Sequence, residues 1–172
     1  MASLGFLFFL FACTNSAENA DAEKYKQGHR DVLTGIETGD STKFSILADD
    51  AVDHTGPMGA EISGAENIKR ALIEMKNHVK DMKFDIKDEV VSGDYLYVWS
   101  TMSGTALDNS MGVAPGTSFK WTGVDIVRFK DGKAAEHWGY VNPADMMPPA
   151  GMDSMSGNPM DTSSMMNKPA TK

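Results

Sequence analysis

Three side chains have the types and settings that could move protons: Asp125 and His137, on either side of Asp131-Gly132, and His54 in "DDAVDHTGPMG". Imidazole exchanges a proton near neutral pH, and a carboxylate does so when its surroundings shift its affinity. Across 121–129, period-two geometry puts Trp121, Gly123, Asp125, Val127 and Phe129 on one face of a strand. Asp125 therefore falls among apolar neighbours, where a carboxylate is costly unless paired and burial raises its pKa. A structural role, in which Asp125 bonds to nearby backbone, competes with that chemical one. His54 likewise serves either as a proton carrier at a pocket rim or as a cap on its turn. His29 and His78 read as helix-face residues.

His137 and Trp138 are adjacent, so a regular strand sends them to opposite faces. Parity groups His137 with Ala135, Gly139 and Val141, and Trp138 with Glu136, Tyr140 and Asn142. Which group faces inward depends on the pairing register. Trp99, Trp121, Trp138, Tyr140 and Asn142 are the candidate ligand-binding residues. The four histidines lie far apart and show no metal-ligand spacing. There is also no phosphate loop, nucleophile elbow or Cys/His pair.

The elements that must carry these residues follow from hydrophobic period. Tyr25, His29, Val32, Leu33 and Ile36 recur at helical spacing within 23–38, and Gly39-Asp40 ends the run. "STKFSILADDAV" predicts a short second helix capped by Ser41, with Phe44 and Leu47 three apart. Residues 49–62 are turn-rich. Ser63 and Glu66 have the capping-box spacing, and Ile68, Ala71, Leu72 and Met75 give a third helix. From residue 82 the period changes to two. Strands over 82–91, 95–106, 119–129 and 133–141 are separated by Gly93-Asp94, a Gly/Pro loop at 108–118, and Asp131-Gly132. Helices followed by antiparallel strands predict an α+β domain with the helices on one sheet face.

Both ends of the 172-residue chain differ from this middle. Residues 1–12 include the run "LGFLFFLF", too short to span a bilayer and fitting a secretory signal. Cys13, the sole cysteine, follows Leu10-Phe11-Ala12 and resembles the modified position of a bacterial lipoprotein signal, with 13–22 as a tether. These features predict an exported cell-envelope protein held to the membrane only through an N-terminal lipid. Residues 143–172 are rich in Met and Pro, lack a sustained period, and read as a disordered tail. A weak soft-metal site built from Met146, Met147, Met152, Met155, Met160, Met165 and Met166 is the alternative for that tail. A net charge of −8 disfavours a nucleic-acid partner.

The phrases "DDAVDH…G…SGAENIKRAL", "VVSGDYLYVWSTMSGTA" and "FKWTGVDIVRFKDGKAAEHW", in that order, resemble the SnoaL-like polyketide cyclases ("ester cyclases") of the nuclear-transport-factor-2-like (NTF2-like) superfamily. The resemblance implies a cone over about 23–142, in which a curved antiparallel sheet wraps three N-terminal helices around a pocket. It also implies a homodimer formed through the outer sheet face. In cyclase-like members a carboxylate or imidazole removes a carbon-bound proton, and no metal or organic cofactor is required. By resemblance, His54 matches the pocket histidine of the early loop, while His137 and Trp138 match the "hW" of the last hairpin. The family pattern W-x-x-x-D meets Asn142 here, and an amide cannot take up a proton at neutral pH. Proton transfer would then shift to Asp125 or a histidine. Two functions follow as expectations: a domain that binds a small apolar or carbonyl-containing ligand, or a cofactor-independent cyclase or isomerase using His54, Asp125 and His137.

Overall fold

A computed structural model describes residues 14–146 apart from 57 and 58, with side chains described from residue 20 onward. The expected signal segment at 1–12, Cys13 and the expected tail beyond 146 lie outside the described residues. No helix among those described is long and apolar enough to cross a membrane.

Helix α1 spans Thr14–Thr38, starting well before the expected 23. Its stripe of Tyr25, His29, Leu33 and Ile36 is buried. The helix ends at Gly39, whose φ of 77° is the left-handed conformation that glycine adopts freely; the amides of Gly39 and Asp40 both bond to the carbonyl of Gly35. Asp40 then caps a single 3-10 turn at Ser41–Phe44, accepting from the Thr42 amide at 3.0 Å.

The expected second helix stops there, because Leu47–Asp53 forms strand β1. Two neighbours recruit it: β1 pairs in parallel with β6 (Lys133–Val141) and antiparallel with β2 (Ile62–Ser63). Tertiary ladder pairing here overrides a weak helical pattern. Ser63 is consequently a strand residue and not a helix cap. Gly64, with φ of 88°, turns the chain into α2 (Ala65–Met75), whose Ile68 is buried.

The remaining strands are β3 (Val79–Ser92), β4 (Tyr95–Ala106) and β5 (Ser118–Lys130). The β5–β6 turn has φ of 51° at Asp131 and 73° at Gly132, as a two-residue hairpin requires. The sheet has six strands in the order β2-β1-β6-β5-β4-β3, and the β1–β6 pair makes it mixed, where antiparallel pairing throughout was expected. Register shifts in β3 and near Arg128/Phe129 bend it.

Helix α1 and the sheet bury two linked clusters. One contains Leu33, Ile36, Phe44, Met82 and Trp121; the other contains Tyr25, Leu96, Val98, Val127 and Phe129. Tyr25 stacks on Phe129 with ring centroids 3.8 Å apart. An Arg30–Glu89 ion pair ties α1 to the edge strand β3, and Glu37 accepts a bond from the Phe84 amide at 2.6 Å. The result is the helix-filled cone, an α+β domain of NTF2-like type.

Candidate active site

Three neighbouring strands bring their chemistry to one face. In the register, Asp53 of β1 lies beside His137 of β6, while Asp125 of β5 lies opposite Gly139. Because β6 runs between β1 and β5, the imidazole of His137 has a carboxylate on each side. Its Nδ1 is 2.9 Å from Asp53 Oδ1, and its Nε2 is 3.3 Å from Asp125 Oδ1. Gly139 leaves space beside this pair: a Cβ there would lie 3.4 Å from both Asp125 Oδ1 and the His137 ring.

Asp53 is buried and held by the turn that follows it. Its Oδ1 also accepts from the Thr55 amide at 3.1 Å, and the Thr55 hydroxyl accepts from the Gly139 amide. The turn and strand β6 thereby lock the carboxylate against the imidazole. From the other side α1 presents His29, whose Nε2 is 3.8 Å from Asp125 Oδ2.

An imidazole that donates from both nitrogens to two carboxylates must be protonated. Burial works against the charge on His137, but its bonds to Asp125 and Asp53 and their negative charges prevail, raising its pKa to about 10. Asp125 shows the reverse balance. Burial pushes its pKa up, as the sequence predicts, but the His137 bond and the two nearby imidazoles carry it below the ordinary carboxylate value. Burial lowers the pKa of His29 despite the attraction of Asp125, so His29 is neutral at physiological pH. At neutral pH the cluster is thus an ionised Asp125, an imidazolium at His137 and a neutral imidazole at His29.

These groups open on a cavity of about 620 Å³, within the usual range for small-molecule sites. One part of its wall is polar, formed by His29, Asp53, Thr55, Asp125 and His137. Most of the rest is apolar, including Leu72, Met75, Phe84, Met102 and Trp121. Among the described residues, no group of three or more His, Cys, Asp or Glu side chains is arranged to hold a metal ion.

The structure brings together only part of the residue set expected from sequence. Asp125, His137 and Trp121 line the cavity, whereas Tyr140, on the outer-face parity of β6 with Trp138, touches only its rim and is half-exposed. Trp121 is buried and stacks on Phe119 at 4.4 Å. Trp138 points the other way, where it stacks on His54 with centroids 4.7 Å apart. His54 itself lies outside the cavity lining, bonded through Nδ1 to Glu61 at 2.9 Å with Glu136 3.8 Å from Nε2. Trp99 is on the outer sheet face, 52% exposed. Asn142 is exposed beyond the end of β6: its side chain accepts from the Ala144 amide and donates to Asp145, fastening the short helix α3 (Pro143–Met146). Strand parity accounts for Trp99 and Trp138, the end of β6 for Asn142, and the turn that follows β1 for His54.

Asp53 and His29 join the cavity, although from sequence Asp53 had no assigned role and His29 read only as a helix-face residue. His29 sits on the same stripe as Tyr25, Leu33 and Ile36, so a titratable group on an apolar helix face was its visible signal. Asp53 shares its face with Ala51 once 47–53 is recognised as a strand.

A curved sheet closed by helices around a largely apolar cavity, with acid and imidazole groups on its wall, is the α+β cone of the NTF2-like fold. Residues 29–148 match the model of the SnoaL-like polyketide cyclases, and the chain belongs to that family. The fold is similar to that of TsrD from Streptomyces laurentii, at 24% identity and a TM-score of 0.63, covering 72% of this chain and 92% of that one. IdmH from Streptomyces antibioticus, described as a candidate polyketide cyclase, aligns at 23% identity with a TM-score of 0.59, covering 73% and 94%. An LEH-like epoxide hydrolase from M. tuberculosis aligns at 15% identity with a TM-score of 0.59, covering 73% and 88%. No curated protein matches the chain.

Proposed function

We propose that the cavity binds an apolar small molecule carrying a carbonyl group, and that Asp125 moves a proton on the carbon next to that carbonyl. The observation that carries this is the Asp53–His137–Asp125 arrangement on three adjacent strands at the wall of an otherwise apolar cavity. Asp125 is ionised and has one oxygen, Oδ2, not taken up by His137. An apolar ligand displaces water from that oxygen and increases its affinity for a proton. The imidazolium of His137 keeps the carboxylate in place and offsets its charge, while Asp53 and Thr55 hold the imidazole. With Asn142 serving as a cap on α3, the proton transfer falls to Asp125. The cyclase or isomerase chemistry of the family requires this step, proton removal followed by attack or reprotonation of the resulting enolate.

Deuterium exchange tests the reaction class without knowledge of the natural substrate. Tetralone, a bicyclic apolar ketone, is incubated with the protein in D2O and followed by proton NMR. The wild type is expected to accelerate loss of the α-proton signal over buffer, and Asp125→Asn to abolish the acceleration. Equal rates in wild type and Asp125→Asn would refute the assignment. Tight ketone binding without exchange would instead establish a binding domain.

The proposal also includes export with lipid on Cys13, checked by mass spectrometry of the mature N-terminus. It further includes a homodimer formed by the outer sheet face, supported by its exposed Tyr97, Trp99, Val124 and Tyr140.

A further inference from the structure

We infer that His29 is the hydrogen-bond donor to the ligand's carbonyl oxygen, so that α1 supplies the oxygen-binding half of a site whose base comes from the sheet. This role rests on the proton transfer proposed above. Its ground is geometric. The two oxygens of Asp125 face different partners: Oδ1 is engaged by His137 Nε2 at 3.3 Å, and Oδ2 faces His29 Nε2 at 3.8 Å. The second distance is too long for a hydrogen bond. It suits a pair of groups that flank one substrate, with the α-carbon at Oδ2 and the adjoining carbonyl oxygen at Nε2.

His29 is also poorly explained as a structural residue. It is 7% exposed, lies on the apolar stripe of α1, and its Nδ1 has no hydrogen-bond partner among the described residues. A buried polar atom left without a partner is destabilising, and such atoms collect at functional sites. A phenylalanine would fill this position without that penalty. Facing an ionised carboxylate, the ring favours the tautomer with its proton on Nε2, which is the proton a carbonyl oxygen would accept.

The step balances within the two residues. The α-carbon–hydrogen bond breaks and its proton passes to Asp125 Oδ2. The electron pair forms the carbon–carbon double bond of the enolate, and the carbonyl π electrons move to oxygen. That oxygen accepts the Nε2–H bond of His29, which strengthens as negative charge develops. With a β,γ-unsaturated ketone, return of the proton from Asp125 to the γ-carbon of the dienolate completes an isomerisation, whereas attack of the enolate on a second carbonyl, with the proton passing from Asp125 to the new alkoxide, completes a cyclisation. His29 stays neutral throughout.

The charged and titratable groups acting on His29 are Asp125 from β5, His137 from β6, Glu89 from β3 and Arg30 of its own helix. A pH dependence caused by His29 must therefore be separated from theirs, and nitrogen NMR does so. In ¹⁵N-histidine protein, His29 is expected to show a neutral Nε2–H ring at pH 7 and above, because burial lowers its pKa from the ordinary histidine value. Addition of tetralone should shift that Nε2–H resonance. A resonance that does not move while the ketone binds overturns the inference whatever the exchange assay shows. In the exchange assay, His29→Phe is expected to lower kcat about 100-fold with little change in KM, the loss typical of removing one such donor. His29→Gln, which restores an N–H donor, should recover part of it. Wild-type kcat in His29→Phe overturns the role. If the wild type shows no exchange, the proton-transfer function fails, yet a ketone-dependent Nε2–H shift would still identify His29 as the ligand's oxygen donor.

Discussion

The inner and outer faces of strands β4, β5 and β6 are built from alternate residues of the same segments, yet they meet opposite requirements. On the inner face Asp125, Val127, His137 and Gly139 border the cavity, and polar groups there are paired. On the outer face the register aligns Tyr97 with Ile126 and Trp138, and Trp99 with Val124 and Tyr140. Several of these large side chains are exposed, which makes a continuous apolar surface of the kind that marks interaction sites. A carboxylate on the outer face would be solvated and chemically ordinary. On the inner face it gains a perturbed proton affinity because water is replaced by a few fixed partners. The face a residue occupies, more than its type, thus decides whether it can do chemistry.

That contrast can be broken most severely at Asp125. Asp125→Asn is expected to lower the tetralone exchange rate by about 10³-fold, the scale of a lost general base, while Trp138→Phe on the opposite face leaves it unaltered. NMR time courses under identical conditions compare the two. Comparable losses in both variants would erase the distinction between the faces.

Next in size is self-association. Trp99→Lys puts a charge in the centre of the outer aromatic surface and is expected to convert a dimer to a monomer in sedimentation velocity at micromolar concentration. Exchange activity per chain should persist. A wild type that already sediments as a monomer would remove the outer face as a dimer surface.

A smaller effect is expected on stability. Asp53→Asn removes one charged partner of His137 but leaves Asp125, so about 2 kcal/mol is the expected loss, read by denaturant unfolding. The pH dependence has a definite sign. The folded-state pKa of His137 is raised to about 10, so its contribution is complete below the ordinary histidine value of 6.5 and disappears as pH rises through about 10. Asp125, with a lowered pKa, contributes above the ordinary 3.8 and loses its contribution as the pH falls through the folded value. Unfolding free energy should therefore decline from pH 6.5 to 10, and His137→Gln should flatten that decline relative to wild type.

The smallest change is expected at His54. It stacks on Trp138 and bonds to Glu61 outside the cavity lining, so His54→Ala should alter exchange by no more than about twofold. A loss as deep as that of Asp125→Asn would mean that the outer face takes part in the reaction.

Much of the scaffold is legible in the sequence itself. The α1 stripe, the Asp131-Gly132 hairpin and the period-two strands are local patterns, and each forms as its spacing predicts. Leu47–Asp53 was not legible, because its strand state depends on pairing with β6, more than 80 residues away in sequence. Missing that strand also concealed Asp53. The helical cap assigned to Ser63 failed for a related reason, since β2 claims Ser63 and Gly64 makes the turn into α2.

Sequence alone determined that Asp125 shares a face with Trp121 and Val127, that His137 and Trp138 diverge, and that Asn142 cannot replace an acid. These follow from strand alternation and side-chain chemistry, which need no partner. Only the tertiary structure decided that the His137 face turns inward, that carboxylates from both neighbouring strands flank it, and that α1 delivers His29 to Asp125. Strand order and register are long-range properties, and one residue of slippage would have exchanged the two faces.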